Sequence, residues 1–497
     1  MGAPMSGSGA AKGEKDEKIE AGMTTPKAQF SEWFSEVLAK TELADLRYNT
    51  KGFLVHRPWS VLCMKEMYRL YEAELERRCH LPVWFPAVIP ESNFKKEAEH
   101  IEGFAPELFW ITHAGEDKLP ERLALRPTSE TAMYTMYSLW IRSWRDLPLK
   151  LYQSCQVWRC DTKATRPFIR GREFWWIEAH DVFETEAEAR KQVAEDMETT
   201  ENVMHQEFGI PFIFFRRPEW DKFPGAVHTY AADSLMPDGK ALQQPSTHLL
   251  GQNFSKSFDI TFKDREGGDR HAWQTCYGPA IWRMMSSIVA LHGDDKGLKF
   301  PFRIAPMQVV IVPIKGVEKE AYKLQKQLMA AGLRVTVDAS DSTPGWKFNQ
   351  WEMKGVPIRV ELGPKELKEG AVTIARRDTG EKMKVKETEL AKKIPEIGAA
   401  ITKGLIKAAD DWFYKGNVRD AKDMKELESQ LKKGGFSRVA FCSDMRDGEG
   451  CADRINDELH AEVRGVRADK EERPASGSKC IACGKKAGVV VYVARPY

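Results

Sequence analysis

The 497-residue chain has no run of about 18 apolar residues, so no membrane-spanning helix is predicted. Its first residues, MGAPMSGSGAAKGEKDEK, are small and charged and lack an apolar signal-peptide centre, which gives the expectation of a cytoplasmic protein. Neither sign of charge is in excess. The 75 Lys and Arg nearly cancel the 73 Asp and Glu, so a polyanion would have to be held by local patches instead of a global field. Nine cysteines are too few, and an odd number, for a secreted disulfide framework. No internal repeat is visible. What is present is a hydrophobic fraction of 42%, enough for a sizeable core, in a chain long enough for about three domains.

Residues 1–22 mix Gly, Ala, Ser, Lys and Glu without periodicity and read as a disordered tail. From Trp59 to Cys79 apolar residues recur at helical spacing, and LPVWFPAVIP then reads as an extended edge segment because of its prolines. Together they make a plausible dimer-forming element. LRPTSE precedes an apolar helix, with Thr128 or Ser129 as its cap. LKLYQSCQVWRC and EFWWIEAHDVF alternate like two antiparallel strands around a loop holding Arg166 and Arg170. This first region, 23–300, closes with the helix IWRMMSSIVALHG. Residues 301–407 alternate strand and helix, predicting an α/β domain with a mostly parallel sheet that runs into a helical linker near 387–415. Residues 408–497 hold four of the nine cysteines.

RPFIRGREFWW, at 166–176, sets three arginines beside four aromatic rings. Guanidinium groups bind phosphate oxygens through paired donors and stack on flat bases, so Arg159, Arg170 and Arg283 with Phe174 suit a nucleoside triphosphate. The bland alternative is that each arginine is solvated or ion-paired and each ring is core. Cys442, Cys451, Cys480 and Cys483 supply four thiolates for a tetrahedral zinc ion, with free thiols or a redox pair as the alternatives. The eight-residue gap between the first two is wider than in most structural sites.

QVWRCDTKATRPFIRGREFWWIEAH resembles motif 2 of the class II aminoacyl-tRNA synthetases, LPVWFPAVIP motif 1 and GPAIWRMMSSIVALHGDDKG motif 3. LRPTSE, WWIEAH and a cysteine-bearing C-terminal region ending in tyrosine resemble the prolyl-tRNA synthetases of archaeal and eukaryotic type. The resemblance runs from about residue 27 to the end. It implies an α+β and α/β multidomain chain with an antiparallel-sheet catalytic domain, an α/β anticodon-binding domain and a small zinc-binding α/β domain. It also implies a homodimeric ligase acting on L-proline, ATP and tRNA(Pro), with Mg2+ beside the triphosphate.

By the same resemblance Arg159 would contact the α-phosphate and the amino-acid carboxylate, and Arg170 the outer phosphates. Adenine would lie between Phe174 and Arg283, with Gln243 and Ser246 also in the ATP site. Thr128 and Glu130 would receive the imino group. Trp176, Glu178, His180, His248 and Cys276 would line the ring's cavity, under Phe104 as a lid. For Thr128 the alternative is a plain helix cap, for His180 a structural histidine, and for Cys276 a small inert hydrophobe. Glu352, Lys354, Arg359, Glu361, Lys365 and Arg377 are anticodon-reading candidates, each alternatively a solvated charge. Tyr497 would return toward the catalytic domain.

Several positions depart from the family's pattern: Asp161 in place of a glutamate, Gln244 and Pro245 in place of glycine and alanine, and TCYG in motif 3. The segment from Arg159 to Arg283 is too short for an inserted editing domain, so misactivation of alanine or cysteine is expected. Two rivals are a class II relative specific for another amino acid and an RNA-binding module that has lost catalysis.

Overall fold

The computed structural model describes residues 22–98, 108–160, 164–314 and 316–497. The tail up to residue 21, the lid candidate Phe104 and the departure at Asp161 lie outside the described residues. No described helix is long and apolar enough to cross a membrane.

Helix α1 (Pro58–Arg77) starts on a proline at its first turn, where a missing N–H costs nothing. It buries Trp59, Cys63, Met67, Leu70, Tyr71 and Leu75 as one helical stripe. The edge segment follows as a two-residue strand β1 (Leu81–Pro82), which pairs in parallel with β2 (Leu149–Trp158). Helix α2 (Glu130–Trp140) follows the LRPTS turn, and β3 (Glu173–Phe183) returns antiparallel to β2 over its whole length. Helix α3 (Glu186–Thr200) opens on a Thr185/Glu188 capping box and covers one face of the sheet.

Strands β4 (Ile213–Arg216), β5 (His228–Leu235), β6 (Ala241–Gly251) and β7 (Trp273–Gly278) complete this first sheet, and the nearly all-buried helix α4 (Ile281–His292) closes the region. The order runs β1-β2-β3-β7-β6-β5-β4, antiparallel except at β1.

The next region is a five-stranded sheet of β8 (Val309–Pro313), β9 (Val335–Val337), β10 (Ile358–Leu362), β11 (Ala371–Arg376) and β12 (Lys382–Lys386). β8 is parallel to β9 and β10, but β10–β11 and β11–β12 are antiparallel, so the sheet is mixed where the alternation of elements predicts it mostly parallel. Helix α5 (Glu318–Ala330), helix α6 (Pro344–Met353) and the linker helix α7 (Leu390–Asp410) accompany it.

The C-terminal strands β13 (Val418–Asp420), β14 (Phe436–Phe441), β15 (Glu462–Arg467) and β16 (Val489–Ala494), with helix α8 (Glu449–Leu459) before β15, do not form an isolated sheet. β15 pairs with β4, placing Val466 opposite Arg216, and extends the first sheet to eleven strands. Gly465 makes this junction possible. It has φ +124°, and a Cβ there would stand 2.1 Å from the Arg216 carbonyl oxygen.

Candidate active site

The site lies on the face of the sheet away from α3. Strand register puts His248, Cys276 and His180 in one row across β6, β7 and β3, pointing the same way. A cavity of about 380 Å³ opens above them, lined by that row together with Thr128, Glu130, Trp176 and the arginines Arg159, Arg217 and Arg283. His248 is held neutral, pushed down to about 3 by burial and by the nearby His180 and Arg217. Its ring nitrogens meet the hydroxyls of Thr229 at 2.9 Å and Ser246 at 3.1 Å. Burial, reinforced by the Glu130 carboxylate, pushes the Cys276 thiol up, so it is a neutral floor group and not a nucleophile.

At one end of the cavity two carboxylates divide the work. Glu178 is saturated. It accepts from the Ser129 N–H at 3.0 Å, from the Ser129 hydroxyl, from Gln153 Nε2 at 2.9 Å and from Thr128 at 3.2 Å, and it meets His180 Nε2 at 3.2 Å. The Ser129 hydroxyl therefore points into this network, so Ser129 holds the N-cap position of α2, as one of the two candidates, but makes no side-chain capping bond. Glu130, at the start of α2, is buried, accepts a hydrogen bond from Thr128 and turns toward the cavity. A small cationic ligand with two N–H donors would find an acceptor pair in Glu130 and Thr128.

The other end is cationic. Arg159 lies just past β2, with its guanidinium carbon 5.3 Å from the centre of the Phe174 ring and 5.6 Å from that of Trp176. Arg283, in the first turn of α4, donates to the Gln243 carbonyl at 2.8 Å. Loss of hydration and the neighbouring Arg159 and Arg170 push Arg283 down to about 10, which leaves it charged at neutral pH. Three mutually repelling guanidiniums beside a flat ring are an anion site that also takes an aromatic base. A second compartment of about 110 Å³, sharing Arg159, Phe174 and Arg283, reaches outward to Arg170. There Tyr497 comes back, with Arg170 donating to its main-chain oxygen at 3.4 Å and Arg166 to its hydroxyl at 3.1 Å.

Sequence reading did not single out Arg217, Phe223 or Thr229, all of which line the cavity. The one available signal is RRPEWDKF, a second stretch of arginine beside rings. The anticodon candidates lie elsewhere. Arg359 stands over the Phe348 ring at 4.0 Å and bonds Glu361, and Lys365 is exposed. Glu352 pairs with Lys296 at 3.0 Å, while Lys354 pairs with Glu42. Arg377 is buried, donating to Asp294 at 2.6 Å and to the Glu352 carbonyl at 2.7 Å, so it joins the two regions and is not displayed to solvent. The sulfurs of Cys442, Cys451, Cys480 and Cys483 all lie within 4.8 Å of one another. Four thiolates about 2.3 Å from a tetrahedral zinc ion need similar separations, so the donor set fits zinc.

An antiparallel sheet that carries arginines and a ring over an acceptor-lined pocket defines a class II aminoacyl-tRNA synthetase core, and the comparisons agree. Residues 109–292 match the tRNA synthetase class II core domain (G, H, P, S and T), 308–397 the anticodon binding domain, and 424–497 the prolyl-tRNA synthetase C-terminal domain. The chain is 51% identical to the proline–tRNA ligase of Thermofilum pendens over 96% of its own length and 100% of the relative's. It is 42% identical to that of Pyrococcus horikoshii, covering 94% and 98%. Among solved structures, the Giardia lamblia prolyl-tRNA synthetase in complex with prolyl-adenylate matches with a TM-score of 0.89 at 35% identity, over 96% of this chain and 100% of that one. The enzyme from Cryptosporidium parvum, complexed with halofuginone and AMPPNP, matches equally at 31% identity and the same coverage. The chain belongs to the proline–tRNA ligase family.

Proposed function

We propose that the cavity activates L-proline with ATP to prolyl-adenylate and that the chain, as a homodimer, then transfers the prolyl group to the 3′ end of tRNA(Pro). The observation that carries this reading is the meeting, in one cavity, of the Glu130–Thr128 acceptor pair with the Arg159, Phe174 and Arg283 clamp. The imino group of proline donates to Glu130 and Thr128, and its ring lies between Trp176 and the His248–Cys276–His180 row. Its carboxylate oxygen attacks the α-phosphorus in line, pyrophosphate leaves, and Arg159 stabilises the charge gathering on the α-phosphate oxygens. No general base is needed, because the nucleophile is already ionised. Arg170 receives the outer phosphates.

Magnesium in this family accompanies the triphosphate. The outer compartment is lined by arginines and apolar groups with no carboxylate among its described residues, so the protein offers the ion no direct ligand there, and no step is derived through it. Cys442, Cys451, Cys480 and Cys483 would hold a structural zinc ion, because four protein ligands leave it no open position. The pocket discriminates without an editing insertion. Since one methylene is worth only ~1–3 kcal/mol, alanine and cysteine are activated at a measurable rate.

ATP–pyrophosphate exchange without tRNA tests the reading, with proline, alanine, cysteine and histidine offered singly to wild type and Glu130→Ala. Expected are exchange strongest with proline, weaker exchange with alanine and cysteine, and a loss of roughly 100-fold or more in kcat/KM in the variant. Exchange with another amino acid alone overturns the pocket assignment, and none with any overturns the catalytic one.

A further inference from the structure

Three charged side chains, all buried, join the C-terminal strands to the wall of the pocket. Arg464 on β15 donates its Nε to Asp233 Oδ2 at 2.7 Å. Asp233 on β5, with no exposed surface, also accepts from Arg217 at 2.7 and 3.2 Å. Arg217, the residue after β4, donates further to the Arg464 carbonyl at 2.9 Å and to Gln243 Oε1 at 3.1 Å. The carbonyl of Gln243 in turn accepts Arg283 at 2.8 Å. An unbroken series of hydrogen bonds thus runs from the C-terminal region to the arginine of the nucleotide clamp.

A buried ion group is a poor source of stability, because desolvation offsets much of the attraction between its members. What this one does is fix direction. With its Oε1 engaged by Arg217, the Gln243 side chain has its Nε2 donors facing away from that guanidinium. Nε2 has no hydrogen-bond partner among the described residues, and Gln243 lines the cavity. The same residue anchors Arg283 through its main chain. The pose of Gln243 therefore depends on where Arg217 sits, and Arg217 is held by Asp233 and by the Arg464 carbonyl, while the Arg464 guanidinium holds Asp233. A second tie acts nearby: Asp444, two residues past Cys442, accepts from Arg216 at 2.6 Å and from the Glu219 N–H at 3.0 Å, at the root of the pocket loop.

We propose that Arg464, Asp233 and Arg217 are positioning residues through which the C-terminal region sets the donor face of Gln243 and the pose of Arg283 for ATP. They act on the nucleotide side through Gln243 and Arg283, and none of the three bonds the Glu130–Thr128 pair. This rests on the reading of the cavity as an ATP and proline site.

The test combines AMPPNP binding by calorimetry with exchange kinetics on full-length wild type, Arg464→Met and Arg464→Lys, with the thermal midpoint recorded for each. Arg464→Met is expected to weaken AMPPNP binding and raise KM for ATP by about tenfold while KM for proline changes by less than about twofold. Arg464→Lys, which keeps a cation beside Asp233, falls between. Equal rises in both KM values, or a lowered midpoint with KM for ATP unchanged, overturns the relay and leaves a structural role. If Arg464→Met does not fold, the lysine variant decides: KM for ATP raised about threefold supports the relay, and an unchanged value overturns it. Wild type that binds no AMPPNP overturns both readings. Nucleotide binding without proline-dependent exchange overturns only the substrate assignment.

Discussion

Glu178 shows how a residue can line a pocket and still have no capacity left for a ligand. Burial alone would raise its pKa, but hydrogen bonds from His180, Ser129 and Gln153 more than offset this and bring it down to about 2. His180 responds in the opposite sense: burial lowers it, yet the Glu130, Glu178 and Asp181 carboxylates leave it raised above its ordinary value. The signs follow. The Glu178 contribution to stability is fully present above the ordinary carboxylate pKa near 4.5 and is lost as pH falls toward about 2. The His180 contribution is present below about 6.5 and is lost as pH rises through its higher folded value. Glu178→Gln leaves His180 without its partner, with an expected cost of about 3–5 kcal/mol, and should flatten the decline in stability between pH 4.5 and 2. Urea unfolding across that range measures both effects, and an unchanged acid limb would refute the assignment. The motif arginines and Phe174 were legible because their types and spacing form a pattern. That the oxygens of Glu178 are consumed by Ser129 and Gln153 was not, since Gln153 lies on a neighbouring strand and no spacing announces it.

At the scale of elements, alternation and length carried most of the information. The strands at 149–158 and 173–183 and the stripe of α1 follow from period-2 and period-3.6 patterns. The direction of β11 does not follow from its own residues, because AVTIARR reads as a buried strand either way. Its antiparallel pairing comes from the connection between Leu362 and Ala371, which is shorter than the dozen or so residues a parallel crossover needs. The edge segment was legible from its prolines, and it is also where the dimer is expected. β1 is only two residues long, and the exposed rings nearby are Trp84 at 88% and Trp140 at 45%, with Phe85 packed 6.0 Å from Trp140. The proposed homodimer would cover this ring at the sheet edge. Sedimentation equilibrium should give twice the 56.6 kDa chain mass for wild type and the chain mass itself for Trp84→Asp. A monomeric wild type, or a variant that remains dimeric, would place the interface elsewhere.

Across the whole molecule, two kinds of joint hold the regions together. The anticodon-binding region docks mostly by side chains, Arg377 on Asp294, Lys354 on Glu42 and the Trp59 indole donating to the Lys354 carbonyl at 3.0 Å, with one main-chain bond from Leu298 to Met353 at 2.9 Å. The C-terminal region is joined by backbone, because β15 adds directly to β4, a pairing between segments some 250 residues apart that sequence patterning does not reveal. This difference bears on the cysteine cluster. Cys442 follows β14, Cys451 lies in α8, and Cys480 with Cys483 precede β16, so a zinc ion would clip α8 to the adjoining ends of β14 and β16. Metal binding at such a site is coupled to folding and contributes ~10 kcal/mol or more in small zinc domains. Were the C-terminal region an independent appendage, chelation would leave proline activation untouched. Because its strands continue the catalytic sheet and Arg464 reaches Asp233, chelation is expected to lower the exchange rate roughly tenfold and the thermal midpoint with it. Both should recover on adding zinc, at one zinc per chain by elemental analysis. Full exchange activity in a demonstrably zinc-free protein would show that the eleven-stranded sheet holds without the metal, and that the cysteines serve another purpose.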